Sequence, residues 1–162
     1  MKREIVLAGG CFWGTQAFFD RIKGVKKTVV GYANSIQHQV NYQMVLSQST
    51  NAAEAVKIIY EDQEVSLEHL LNKYFQVIDP TIKNRQGNDI GSQYRTGIYY
   101  LDHNPKTIQT INRVLDQEQQ KYSVPLVVEV KPLKRFVVAE DYHQKYLDKH
   151  PGGYCHIDLT KA

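Results

Sequence analysis

The chain has only two cysteines, Cys11 and Cys155, placed near opposite ends of 162 residues. In a chain large enough to fold without staples this spacing speaks against a disulfide scaffold; a Cys pair in a reducing compartment suggests catalysis, and two buried structural thiols are the other reading. Long apolar runs are missing as well. After Met1-Lys2-Arg3-Glu4 the first such run covers residues 5–8, far short of a signal-peptide core or a membrane span. A soluble, cytoplasmic protein with no membrane partner is expected. Charge of one sign is not concentrated either: twenty Lys and Arg stand against seventeen Asp and Glu, a net +3, and the basic residues are scattered. Nucleic acid is therefore not an expected partner. Repeats, low-complexity tracts and linkers are absent, so one domain over residues 1–162 is expected.

What is present is an alternation of strand-like and helix-like segments. Residues 5–8 read as a buried strand, Gly9-Gly10 as a turn, and Ala17, Phe18 and Ile22 as a helix face ending at Gly24. Residues 25–32 and 53–60 read as further strands. Ser66 can cap a helix whose apolar stripe runs through Leu67, Leu70, Leu71, Tyr74, Phe75 and Ile78 before Asp79-Pro80. Another strand follows at 96–101. Asn104-Pro105 then starts a helix carrying Ile108, Ile111 and Leu115, and residues 126–130 read as the last strong strand. The pattern is a two-layer α/β or α+β arrangement.

Three features in it carry chemistry. Cys11 stands where the first strand gives way to a helix, and unpaired amides and the helix dipole there favour a thiolate. Glycines at 9, 10 and 14 let the backbone turn, and Phe12 and Trp13 put apolar surface beside the sulfur. Glu54 shares a strand face with Val56, Ile58 and Tyr60 by period-two alternation. A carboxyl held on that apolar face is desolvated, which raises its pKa and makes it a proton donor. The segment 79–95, DPTIKNRQGNDIGSQYR, lacks either periodicity, and its Asp89, Gln93 and Tyr94 are suited to orienting a polar substrate.

Gly10-Cys11-Phe12-Trp13-Gly14 resembles the signature of the A-type peptide methionine sulfoxide reductases. Four further stretches resemble that family in order: Gly31-Tyr32 with Asn41-Tyr42, Ala53-Glu54-Ala55-Val56, the run from Arg85 to Arg95, and Ala139 to Gln144 with Gly153-Tyr154-Cys155-His156. The resemblance implies a ferredoxin-like mixed sheet with flanking helices. It implies Cys11 as nucleophile, Phe12 and Trp13 as the pocket for the substrate methyl, Tyr42, Glu54 and Tyr94 as hydrogen-bond donors to the sulfoxide oxygen, and Asp89 as an ordering group. The implied substrate is methionine S-sulfoxide, free or in proteins, and the implied role is repair of oxidised proteins. Cys155 follows Pro151-Gly152-Gly153 in a tail, about 139–162, that is expected to be mobile, and the resemblance makes it the thiol that resolves oxidised Cys11. Thioredoxin is then the implied reductant, with no bound cofactor.

His143, His150 and His156 with one cysteine lack a four-ligand pattern, so no metal is expected. Two other classes stay open on the residues alone: a cysteine hydrolase using His143 as base, and a non-catalytic interaction module built on the eleven tyrosines. The chain departs from the family at Gln16, where many relatives carry Glu, and likewise at Leu46 (Cys), Ala52 (His) and Ile78 (His). The substitutions at 52 and 78 remove polar neighbours from the expected surroundings of Glu54.

Overall fold

The computed structural model describes residues 1–36, 40–47 and 50–162. In chain order these give β1 (Lys2–Ala8), α1 (Phe12–Asp20), β2 (Val25–Ala33), α2 (Tyr42–Leu46), β3 (Ala53–Glu61) and α3 (Leu67–Phe75). A short hairpin of β4 (Arg85–Gln86) and β5 (Asp89–Ile90) precedes β6 (Gly97–Tyr100) and α4 (Pro105–Gln119). The last elements are β7 (Glu129–Pro132), β8 (Phe136–Val138) and α5 (Tyr146–Lys149). The fold is mixed α/β. Among the described residues, six strands form one sheet in the order β7-β6-β1-β3-β2-β8; β6 and β7 run parallel and the other neighbours antiparallel.

Local chemistry sets the helix starts. Ser66 Oγ accepts from His69 N at 3.0 Å and Asn104 Oδ1 accepts from Lys106 N at 3.0 Å, so each fills an orphan amide of its helix. α3 ends at Phe75, so Ile78 lies beyond it, packed against Gly9. Alternation along β1 separates two cores. Ile5 and Leu7 join a large cluster with Phe18, Phe19, Leu70, Leu71 and Ile111, whereas Val6 and Ala8 join a smaller one with Ala33, Ala55, Tyr99 and Phe136. The helices thus cover one face of the sheet. No helix among the described residues is long and apolar enough to cross a membrane.

The last strand pairing differs from the expectation at 126–130: β7 begins at Glu129, and β8, which the sequence reading did not include, adds to β2 at the other edge. Both are short strands fixed by distant partners rather than by their own periodicity.

Tyr74 braces the floor under the site. Its buried hydroxyl donates to Ala8 O at 2.6 Å and accepts from Gly97 N at 3.1 Å, tying the end of β1 to the start of β6. Tyr74→Phe strands both backbone groups, each costing about 1–3 kcal/mol. Urea unfolding should show a lower midpoint at unchanged slope; an unchanged midpoint would mean the bridge contributes nothing.

Candidate active site

β1 ends at a turn whose Gly10 has φ +76°, a conformation that favours glycine. Gly10 N donates to Tyr94 O at 3.2 Å, which ties this turn to the 79–95 segment. That segment is held at its neck by Gln86, whose side chain accepts from Asp79 N and donates to Asp79 O, both at 2.8 Å. Asp89 is thereby brought beside Cys11.

Cys11 is the N-cap residue of α1, extended at φ −62° and ψ 129°. The amides around it are already spoken for. Cys11 N donates to Asp89 Oδ2 at 3.3 Å and Phe12 N donates to Glu54 Oε1 at 3.3 Å, while the Cys11 sulfur itself caps no amide of the helix. The nucleophile candidate and the acid candidate therefore share the first turn of one helix.

Electrostatics here reverse one expectation. Cys11 is 6 % exposed, and burial pushes its thiol up, followed by the charge of Glu54; the Trp13 amide lowers it without prevailing. The helix terminus is outweighed, and the resting thiol is neutral. Glu54 lies 1 % exposed on the buried face of β3 with Val56, Ile58 and Tyr60. Burial pushes its carboxyl up to about 8; the Phe12 amide works against this and the Asp89 charge adds to it. Its second oxygen, Oε2, has no hydrogen-bond partner among the described residues. A protonated carboxyl is thus left with an unused O–H.

The phenols of Tyr42 and Tyr94 hydrogen-bond each other and feel the charges of both Glu54 and Cys11. Burial, then Glu54, pushes Tyr42 up to about 12 and raises Tyr94 as well, so both remain proton donors. Gln93 is buried and packs over Gly91. Ala52 is buried, and Leu46 closes α2 exposed.

Phe12 and Trp13 form an aromatic wall with residues from the far end of the chain. His143 lies 5.1 Å from Phe12, 5.8 Å from Trp13 and 4.5 Å from Tyr42 between ring centres, and Tyr146 stacks on Trp13 at 3.8 Å. Trp13 Nε1 donates to His143 Nδ1 at 2.9 Å, so that nitrogen accepts and the ring proton sits on Nε2. Burial lowers the His143 pKa against the pull of Glu140, and the ring is neutral. Its basic nitrogen is occupied, which removes it as a base for Cys11.

Glu140 is a residue the sequence reading assigned no role. Its carboxylate accepts from Tyr32 Oη at 2.9 Å, Tyr42 N at 3.2 Å and Tyr142 Oη at 3.0 Å. Burial would raise its pKa, but these donors with its own amide hold it below the ordinary range. It fixes the start of α2, and with it Tyr42. In the sequence it was visible only as part of the family-like stretch from Ala139 to Gln144, beside Tyr142 and His143.

Gln16, the departure in α1, is also explained. Its Oε1 accepts from Lys145 N at 2.8 Å while its Nε2 donates to Thr28 O and Oγ1 at 3.3 and 3.2 Å. A carboxylate has no donor for the second pair. Cys155 Sγ donates to Ile157 O at 3.3 Å and packs on Gly14 in the first turn of α1; both cysteines are free.

The family model described as peptide methionine sulfoxide reductase matches residues 3–162. A peptide methionine sulfoxide reductase MsrA of Clostridium botulinum (strain Okra / Type B1) is 56% identical over 157 residues, covering 97% of this chain and 99% of that one. Methionine sulfoxide reductase A of Corynebacterium diphtheriae superposes with a TM-score of 0.91 at 33% identity, covering 95% of this chain and 77% of that one. Mxr1 from Saccharomyces cerevisiae in reduced form gives 0.89 at 33%, covering 98% and 92%. Mxr1 in complex with Trx2 gives 0.62 at 22%, covering 90% and 84%, a likeness of fold alone. With Cys11, Glu54 and two tyrosines gathered at one helix start, and with matches over nearly its full length, the chain belongs to the peptide methionine sulfoxide reductase family.

Proposed function

We propose that the chain reduces methionine S-sulfoxide, free or in proteins, to methionine, and so repairs oxidised proteins. The observation that carries this reading is the Glu54 carboxyl. It is protonated up to about pH 8, has one oxygen on the Phe12 amide and the other unpartnered, and shares a helix start with Cys11. A sulfoxide sulfur is a poor electrophile until its oxygen is protonated or strongly hydrogen-bonded. Glu54 gives the proton, and Tyr42 and Tyr94 donate to the same oxygen. Asp89 orders the turn through the Cys11 amide. Phe12 and Trp13 take the substrate methyl on their apolar wall.

The Cys11 thiol then attacks: its sulfur takes the oxygen, becoming Cys11–SOH, and methionine leaves as the thioether. Glu54 recovers the proton that the thiol releases, so no net charge builds in a buried site. Cys155 attacks next, giving a Cys11–Cys155 disulfide and water. An external dithiol reopens it. The Mxr1–Trx2 complex supports thioredoxin in that role, and the chemistry itself calls for no bound cofactor and no metal.

The same reading includes one catalytic domain over 1–162 in the cytoplasm, with a C-terminal stretch, about 139–162, that moves to deliver Cys155. Pro151 and the open space around Gly152 support that movement. For the architecture, a two-layer ferredoxin-like description is supported by the antiparallel run β6-β1-β3-β2.

The test is a single turnover without reductant on each sulfoxide epimer, with thiols counted before and after. The S epimer should yield methionine with loss of two thiols per turnover, and the R epimer none. Methionine from neither epimer would overturn the assignment.

A further inference from the structure

Beside Cys155 stands an imidazole that the reaction above leaves idle. The His156 side chain is 5 % exposed, and its Nε2 lies 2.9 Å from Gly9 O. A carbonyl only accepts, so the ring proton sits on Nε2 and Nδ1 is a bare lone pair. That Nδ1 has no hydrogen-bond partner among the described residues and lies 3.7 Å from Asp89 Oδ2. Asp89 Oδ2 also accepts the Cys11 amide, so one carboxylate lies between the residue that follows Cys155 and the backbone of Cys11.

The ring fills a niche that only glycines leave open. A methyl on Gly10 would fall 2.6 Å from His156 Nε2. A methyl on Gly14 would fall 3.0 Å from Cys155 Sγ and 3.4 Å from His156 Nδ1. Thiol and imidazole therefore rest together on the first turn of the helix that Cys11 caps.

We propose that His156 is a positioning residue for the second half-reaction: docked on Gly9, Gly10 and Gly14, it holds Cys155 in line with oxidised Cys11. This rests on Cys155 being the resolving thiol. In the step it serves, Cys155–SH meets Cys11–SOH; the S–S bond forms as the S–O bond breaks, and the thiol proton leaves with the hydroxyl as water. The sulfenic sulfur is reduced and the thiol sulfur oxidised to a common disulfide, with no outside redox partner. Docking of this kind acts through alignment, where a displacement of about 1 Å can cost on the order of 10²-fold.

The test is a single turnover with methionine S-sulfoxide and no reductant, reading methionine formation and thiol loss separately. In His156→Ala, methionine should form within about twofold of the wild-type rate while loss of the second thiol slows about tenfold or more, leaving a sulfenic acid that dimedone traps. His156→Gln, which keeps a donor for Gly9 O, should recover most of the rate. Gly14→Ala supplies a better helix former yet intrudes on the niche, so it should keep or raise the unfolding midpoint and still slow the second thiol. Wild-type thiol loss in both His156→Ala and Gly14→Ala overturns the proposal. So does equal slowing of both half-reactions, since that places His156 in the first. Loss of a single thiol in the wild type overturns instead the reading of Cys155 on which it rests.

Discussion

Glu54→Gln should slow methionine formation by about 10²- to 10⁴-fold, barely change substrate affinity, and make the protein more stable at neutral pH. The rate falls because an amide fills the same space but has no proton to transfer. Stability rises because the folded site holds the Glu54 proton up to about 8, against an ordinary value of 4.5. Between those two values the unfolded chain has released the proton and the folded chain has not, so wild-type stability declines as pH climbs through that window. By linkage the decline reaches roughly 3 kcal/mol at pH 7, and glutamine escapes it. Urea titrations at pH 5 and pH 8 should find the variant's advantage growing with pH. An advantage independent of pH would mean that Glu54 does not carry a raised pKa. The methionine-forming step of the wild type should also fade above about pH 8 as the acid is lost, and that alkaline limb should vanish in the variant.

Cys155→Ser should still produce one methionine per enzyme in a burst and then stall when thioredoxin is the only reductant. Cys11 is 6 % exposed and lies in the core cluster with Phe12, so its sulfenic acid offers a second protein's thiol far less surface than Cys155 does. Cys155 is partly exposed. Steady turnover should drop by about two orders of magnitude or more, and the stranded sulfenic acid should move on to sulfinic acid under further oxidant. Mass spectrometry of Cys11 follows that change directly. Undiminished thioredoxin-driven turnover would show that the second thiol is a bystander.

Much of this was legible along the chain. Ser66 and Asn104-Pro105 announce helix starts through their own side chains, and the alternation of Glu54, Val56, Ile58 and Tyr60 places the carboxyl on the buried side of β3 without any tertiary knowledge. Proximity across the sequence was not. The Phe12 amide reaches Glu54 only because the turn after β1 and the start of β3 are neighbours in the antiparallel register, where Ala8 faces Ala55. β8 and the Glu140 clamp depend likewise on a long return of the chain to β2. The protonation of Cys11 needed the structure too: a helix terminus is visible in a motif, whereas the depth of burial that overrides it is the sum of side chains from many segments.

The stack of Tyr146 on Trp13, reinforced by Gln144 bonding both backbone groups of Val30, sets a fixed post partway along the C-terminal segment. Just before it, Glu140 accepts from Tyr42 N and His143 packs on Phe12 and Trp13, so this part of the segment lines the proposed substrate wall. Beyond it the chain runs on to Cys155 and His156, which rest on the first turn of α1. In the proposed cycle, the short stretch from Tyr146 to Cys155 keeps the second sulfur at a high effective concentration near the first. One segment would thus serve both half-reactions, its first part shaping what binds and its last part carrying the thiol that closes the cycle.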